Sequence, residues 1–259
     1  MGGINLLFSI IGTDSRMDYV AEKLYSLGCE VTRSLSDNQN DTILVISPPV
    51  NIDYIDKIYP SICNIKRIYG GSISNLFYEA MSKIEIYDYL KWENVISKNA
   101  VLTAKGIIKE ALEYNCSLNN SNILITGYGY CSKAIAAELS KYSDNINIAV
   151  RNSKLKSEIT NNNYVYVDIN NLSNNDLWSY EYIFNTVPAL VIDKPVIDSL
   201  NKNVMIFDIA SKPGGVDFEY CSVNNIFSKL SLGIPGRIYP KEAGYLIAEA
   251  VYNHYMQTQ

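Results

Sequence analysis

One short stretch constrains the fold more than any other. Residues 122–126 (NILIT) read as a buried strand and run directly into Gly127-Tyr128-Gly129. A helix is predicted over 132–139 and a second strand over 146–150. In a strand–turn–helix–strand unit the first glycine permits a sharp turn, and the second lets an anion approach the backbone. The helix N-terminus then offers unpaired N–H groups and the positive end of its dipole. The third position, which must be small so that helix and strand can pack closely, is Ser132. Cys131 reads as a small apolar filler, since neither a basic partner nor a CxxC pair lies nearby to activate it. The pattern predicts a Rossmann-type domain whose Gly127, Tyr128, Gly129, Tyr130, Cys131 and Ser132 hold a dinucleotide diphosphate.

The end of the second strand selects the cofactor. An Asp or Glu there would bind the adenine-ribose 2′-hydroxyl, but this chain has Arg151, followed by Asn152 and Ser153. A cation beside amide and hydroxyl donors suits a 2′-phosphate, so NADP is expected over NAD.

The rest of the chain alternates in the same way. Upstream, strands are predicted at 4–11, 30–32, 42–47 and 65–69, with a helix over 17–27 closed by Gly28. Residues 79–89 read as a helix leading into a strand, and 103–113 as a helix with Ile107, Ile108, Ala111 and Leu112 on its apolar stripe. Downstream, strands are expected at 164–167, 182–184, 204–208 and 226–230, and a last helix at 243–255. Asn161-Asn162-Asn163 and the Asn-rich 170–175 read as turns. The expected class is α/β: a Rossmann-type doubly wound parallel sheet preceded by a smaller, flavodoxin-like α/β domain, joined by helices. The boundaries are 1–98 for the substrate-side domain, 99–118 for the connecting helix and 119–238 for the NAD(P)-binding domain. Residues 239–259 form a C-terminal helix packing back on the first domain.

Composition narrows the function. A formal net charge of −5 argues against a nucleic-acid binder, which needs a basic surface. The odd set Cys29, Cys63, Cys116, Cys131 and Cys221 has neither metal-ligand spacing nor a disulfide framework, so no metal and a reducing compartment are expected. The N-terminal apolar run lacks a basic leader and a cleavage site, and no run reaches membrane-span length. A cytoplasmic protein is expected.

Three later loops follow successive strands of the cofactor domain, where open parallel sheets bind ligands. They are Asn185-Thr186-Val187-Pro188, the 208–217 loop containing Ser211-Lys212-Pro213-Gly214-Gly215, and Gly233-Ile234-Pro235-Gly236-Arg237. Thr186, Val187 and Pro188 are expected at the cofactor. In this order, NAVLTAKG, ITGYGYCSKAIA, VRNS, FNTVP, FDIASKPGGVDF and LGIPGRIYPKEAG resemble the A-subunit family of dipicolinate synthase. The similarity runs from about residue 99 to 252. It is looser before that, where Gly12-Thr13-Asp14-Ser15-Arg16 resembles the family's opening Gly-Gly-Asp-x-Arg loop with Thr13 in place of a glycine.

The resemblance implies a two-subunit enzyme of spore-forming bacteria, active in the mother cell. It makes pyridine-2,6-dicarboxylate from the lysine-pathway intermediate dihydrodipicolinate, or its hydrated tetrahydro precursor, by hydride transfer to NAD(P)+. The B subunit would be flavoprotein-like, and a homo-oligomer stays open. A dianionic substrate needs cations, so Arg16, Lys212 and Arg237 are carboxylate-binding candidates. Thr103, Ser211, Pro213, Gly214, Gly215, Pro235 and Gly236 are expected beside them. Lys212 and Asp208 are the candidates for catalysis, with Asp217 a further carboxylate in the same loop. The single histidine, His254, falls in the last helix, where a solvent-facing side chain is expected. A 2-hydroxy-acid dehydrogenase would need a histidine in the cofactor domain. The rivals are a shikimate-dehydrogenase-like NADP oxidoreductase and a non-catalytic NADP-binding regulatory subunit.

Overall fold

The computed structural model describes residues 6–35, 41–114 and 117–259, with Asn174 described by its backbone alone. Cys116 and the first two residues of the strand predicted over 4–11 lie outside the described residues. The chain divides into two compact units, residues 1–99 with 235–259, and residues 100–234.

The first unit contains β1 (Leu7–Ile11), α1 (Arg16–Ser26), β2 (Glu30–Thr32), β3 (Thr42–Ile46), α2 (Ile55–Ile58), β4 (Ile65–Gly70), α3 (Asn75–Ala80) and β5 (Glu85–Asp88). Its strands pair in parallel in the order β2-β1-β3-β4-β5, the flavodoxin-like arrangement. All five residues of β3 are buried, as a central parallel strand covered on both faces requires.

Helix α4 (Glu93–Tyr114) leaves this unit and enters the second. It begins ten residues before the predicted start at 103, because Val95 packs against Leu246 and Ala250, a tertiary contact that periodicity around 103–113 does not register.

The second unit holds β6 (Ile123–Thr126), α5 (Tyr130–Leu139), β7 (Ile146–Val150), α6 (Lys156–Asn161), β8 (Val165–Asp168), β9 (Tyr182–Asn185), α7 (Lys194–Asp198), β10 (Met205–Asp208), α8 (Phe218–Val223) and β11 (Phe227–Leu230). The six strands are parallel, in the order β11-β10-β9-β6-β7-β8. The strand order therefore reverses between β6 and β9, where a doubly wound sheet opens its ligand crevice. No helix among the described residues is long and apolar enough to cross a membrane.

The chain returns to the first unit through α9 (Ile234–Ile238) and α10 (Pro240–Gln257). Ile247, Ala248, Val251 and Tyr255 of α10 share a core with Met17, Val20 and Leu24 of α1 and Phe8 of β1. The two helices meet closely at Gly244, where a Cβ would fall 2.5 Å from the Arg16 carbonyl oxygen and 2.7 Å from Tyr19 Cβ.

The same helix corrects the expectation for His254, which is half-buried rather than solvent-facing. Its ring stacks on Trp92 at 4.7 Å and tilts against Tyr87 at 4.4 Å, and its Nδ1 lies 3.0 Å from the Tyr69 hydroxyl. Arg67 stands nearby, pairing with Glu85 and donating to the Thr258 carbonyl at 2.8 Å, so the C-terminal turn of α10 is anchored on β4 and β5. Burial, then the charge on Arg67, pull the imidazole below its ordinary value, with Glu85 opposing.

Two outcomes are expected. The substitution Gly244→Val should overpack the α1–α10 contact and cost ~1–3 kcal/mol in chemical denaturation. Because the folded-state value of His254 is depressed, the unfolded chain binds more protons as pH falls below about 6.5. Stability should therefore decline on acidification through that window, and His254→Phe should flatten this part of the profile in urea titrations at stepped pH.

Candidate dinucleotide site

Gly127 adopts φ +89°, a left-handed conformation that favours glycine. Its N–H donates to the Ala149 carbonyl at 2.8 Å, and a Cβ there would lie 2.5 Å from Thr186 Oγ1. The first glycine thus admits the β9 loop. The second faces open space, since a Cβ on Gly129 would meet nothing within 4 Å. Gly129 is also the N-cap of α5 and supplies no side-chain cap. Ser132 is fully buried, and its hydroxyl donates to the Gly127 carbonyl at 2.6 Å, which ties the helix to the turn. The hydroxyl therefore does more than occupy little room. Burial pushes the Cys131 thiol up, the opposite of what a reactive thiolate needs. Tyr130 is exposed beside it.

At the end of β7, Arg151 is exposed and forms no hydrogen bond or ion pair among the described residues. Asn152 has a local task, its Oδ1 accepting from the Lys154 N–H at 3.1 Å to start a single 3-10 turn, Ser153–Leu155. Gly127, Tyr128, Arg151, Leu155, Ile169 and Val187 line a groove of about 220 Å³. Arg151 and Ile169 also line an adjoining groove of about 330 Å³ that extends to Ala189 and Leu190. Leu155, Ile169 and Leu190 escape a reading of the sequence because they lie beyond strand ends with no motif around them. Their apolar character soon after β7, β8 and β9 is the one signal that could have marked them.

Below the site runs a file of buried polar side chains at the carboxyl ends of β6, β9 and β10. Thr126 Oγ1 donates to Asn185 Oδ1 at 2.5 Å, and Asn185 Nδ2 donates to Asp208 Oδ1 at 2.7 Å. Asn185 also receives the Val187 N–H at 3.1 Å. Asp208 accepts from the backbone N–H groups of Ala210 at 2.9 Å and Gly215 at 2.8 Å. With no exposed surface and both oxygens engaged, Asp208 holds the loop. Asp217 likewise caps α8, accepting from the Tyr220 N–H at 2.9 Å. Gly215 has no room for a Cβ, which would lie 2.3 Å from Asn185 Nδ2. Gly214 has φ +87°. These glycines shape the loop, and Ser211, Lys212 and Pro213 at its tip are exposed. Pro188 is exposed as well. Lys212 borders a mainly apolar pocket of about 560 Å³ with Ala210, Pro213, Phe218, Leu230 and Leu232.

In the first unit the segments around Arg16 and Gly236 come together although about 220 residues separate them. Arg16 grips Asp14 through Nε at 2.9 Å and Nη2 at 2.6 Å. A Cβ on Gly236 would lie 2.9 Å from Arg16 Nε, and the Ser15 hydroxyl reaches the Gly236 carbonyl at 3.4 Å. Burial raises the Asp14 carboxyl, but its hydrogen bonds to Arg16 outweigh this and hold it below the usual carboxylate range. The predicted loop at 233–237 is helical from Ile234 onward, a correction explained by Pro235, which fits a first helical turn where no N–H partner is needed. Pro235 is buried and Arg237 exposed. In the second unit, Thr103 is buried on α4. One residue the sequence reading passed over is Glu110, buried on α4, which accepts from Ser231 Oγ at 2.6 Å and lies 3.4 Å from Lys229 Nζ. A lone glutamate in a helix carries no mark of such partners. No cluster of three or more His, Cys, Asp or Glu suited to a metal occurs among the described residues.

No protein-family model matches the chain. Over 203 residues it is 27% identical to the A subunit of dipicolinate synthase from Bacillus subtilis, an alignment covering 77% of this chain and 66% of that protein, just under two thirds. Among solved structures, the corresponding protein from Bacillus halodurans superposes with a TM-score of 0.81 at 22% identity, covering 98% of this chain and 99% of that one. Its Bacillus subtilis counterpart gives 0.78 at 21% identity, covering 98% and 96%. A D-isomer-specific 2-hydroxyacid dehydrogenase from Lactobacillus delbrueckii, in its NAD-complexed form, gives 0.60 at 9% identity, covering 97% and 96%. What these structures share with the chain is a fold of parallel α/β units. In sequence and in fold, this chain resembles the A subunit of dipicolinate synthase.

Proposed function

We propose that the second unit binds NADP in preference to NAD, and that the chain is the A subunit of a dipicolinate synthase. The reading rests chiefly on one arrangement: a glycine turn open at Gly129, with an uncommitted Arg151 at the end of the next strand and Asn152 and Ser153 following it. The turn from Gly127 to Ser132 would hold the diphosphate through backbone N–H groups, and Arg151 the 2′-phosphate. Thr186, Val187 and Pro188 would flank the cofactor from the β9 side.

The proposed substrate is dihydrodipicolinate or its hydrated tetrahydro precursor. Bound NADP+ supplies the hydride acceptor. The dihydro ring becomes aromatic by losing one hydride and one proton, and the hydrated form loses water in addition. Aromatisation favours this strongly, so the protein's task is chiefly positioning and neutralising two carboxylates. Lys212, Arg16 and Arg237 are the proposed cations. Arg16 offers the edge that Asp14 leaves open, Lys212 is the proposed catalytic cation holding a carboxylate in place, and the proton lost by the ring passes to water, since Asp208 is committed to its loop. A 2-hydroxy-acid reaction is set aside, because the only histidine lies in the ring cluster of the first unit. The resemblance further suggests a flavoprotein-like B-type partner and a place in spore formation.

Arg151→Ala should raise the Kd for NADPH about tenfold to a hundredfold and that for NADH far less, as read by fluorescence titration. Failure of the unmodified chain to bind either cofactor would sink the proposal. Lys212 and Asp208 should separate cleanly. Lys212→Ala should shift stability by less than about 0.5 kcal/mol yet lower kcat/KM for the cyclic dicarboxylate, assayed with and without the partner protein. Asp208→Ala should destabilise the fold by roughly 3 kcal/mol in urea, because it strips buried N–H groups of a charged acceptor.

A further inference from the structure

We infer that Lys133, Glu158 and Asn162, acting with Tyr128, form a clasp that sets the position of Arg151 and thereby the preference for a 2′-phosphorylated cofactor. The inference deepens the dinucleotide reading and rests on it. Arg151 has no partner of its own among the described residues, so its position depends on the backbone that carries it. That backbone continues through the 3-10 turn Ser153–Leu155 into α6. Two contacts join α6 to the glycine-turn side of the site. Lys133 on α5 pairs with Glu158 on α6 at 2.7 Å, and Asn162, at the end of α6, donates to the Tyr128 hydroxyl at 3.3 Å. Lys133 closes the ring, its ammonium lying 4.7 Å from the centre of the Tyr128 ring. Tyr128 is the middle residue of the glycine turn and also lines the groove with Arg151. The diphosphate turn and the proposed 2′-phosphate loop are therefore linked through side chains as well as through the sheet.

Lys133 and Glu158 are each about half exposed, at 48% and 46%, so their pair is a weak one. The effect expected on affinity is accordingly about two- to fivefold. Lys133, Glu158 and Asn162 are positioning residues, and Glu158 gives the decisive test. Glu158→Gln leaves the chain with one negative charge fewer, so electrostatics alone would favour binding of the more anionic NADPH. The clasp requires the reverse. Kd values for NADPH and NADH should be measured on the full chain, with Asn162→Ala as a charge-neutral second variant and thermal unfolding as a check on folding. In both variants NADPH should bind about two- to fivefold more weakly, with the NADH value within about twofold of the unmodified chain. Tighter NADPH binding in Glu158→Gln, equal weakening of both cofactors, or no change in either variant would overturn the clasp while leaving the dinucleotide reading intact. No NADPH binding by the unmodified chain would overturn both.

Discussion

The second unit depends on the buried hydrogen-bonded file Thr126–Asn185–Asp208 across the carboxyl ends of three neighbouring strands. All three side chains are fully buried, where a polar group lacking a partner costs far more than a satisfied one contributes. The file therefore admits one arrangement of the loops it touches. Asn185 fixes the chain at Val187, and Asp208 draws in Ala210 and Gly215. Gly127 completes this platform, since any side chain there would strike Thr186. What remains open above the platform is the space at Gly129, where the candidate diphosphate site lies.

Against that rigid platform, the cations divide by commitment. Arg16 is held by Asp14 and Arg67 by Glu85, whereas Arg151 stands at a strand end with no ion pair among the described residues. The net charge of −5 says nothing of this distribution. An acidic protein can present a local anion site when its binding cation is left unpaired and its neighbours are paired with one another, as Lys133 and Glu158 are. The first unit works differently. There the Gly12-to-Arg16 loop is supported by Gly236 and by α10, so a surface early in the chain is completed by its last residues.

Much of the fold is legible in the sequence because parallel strands buried on both faces must be short apolar runs, and β1, β3, β6, β7, β9 and β10 all fall within a few residues of where such runs lie. The glycine turn is legible for a similar reason, since its conformation admits few residue types. What stayed illegible shares a different cause. Asp208 looks like any acid at a strand end until its oxygens are found facing two backbone N–H groups. His254 looks like a tail residue until Trp92 and Tyr87 close around it. The loop at 233–237 looks irregular because its Gly and Pro residues suggest turns, yet Pro235 sits comfortably at a helix start.

By itself, the sequence determined two α/β units, an order of strands separated by helices, a glycine turn between strand and helix and a strand end bearing Arg151 in place of an acid. These follow from local rules: periodicity, backbone freedom and the charge of a single side chain. Only the tertiary structure decided which charged groups are committed and which are available. It gave Asp208 to its loop, Asp14 to Arg16 and Ser132 to the Gly127 carbonyl, and left Arg151 uncommitted. The reason is physical. Whether a polar group can serve a ligand depends on the partners that folding brings within about 3 Å, and even partners two to seven residues away meet only once the backbone between them has taken its folded course.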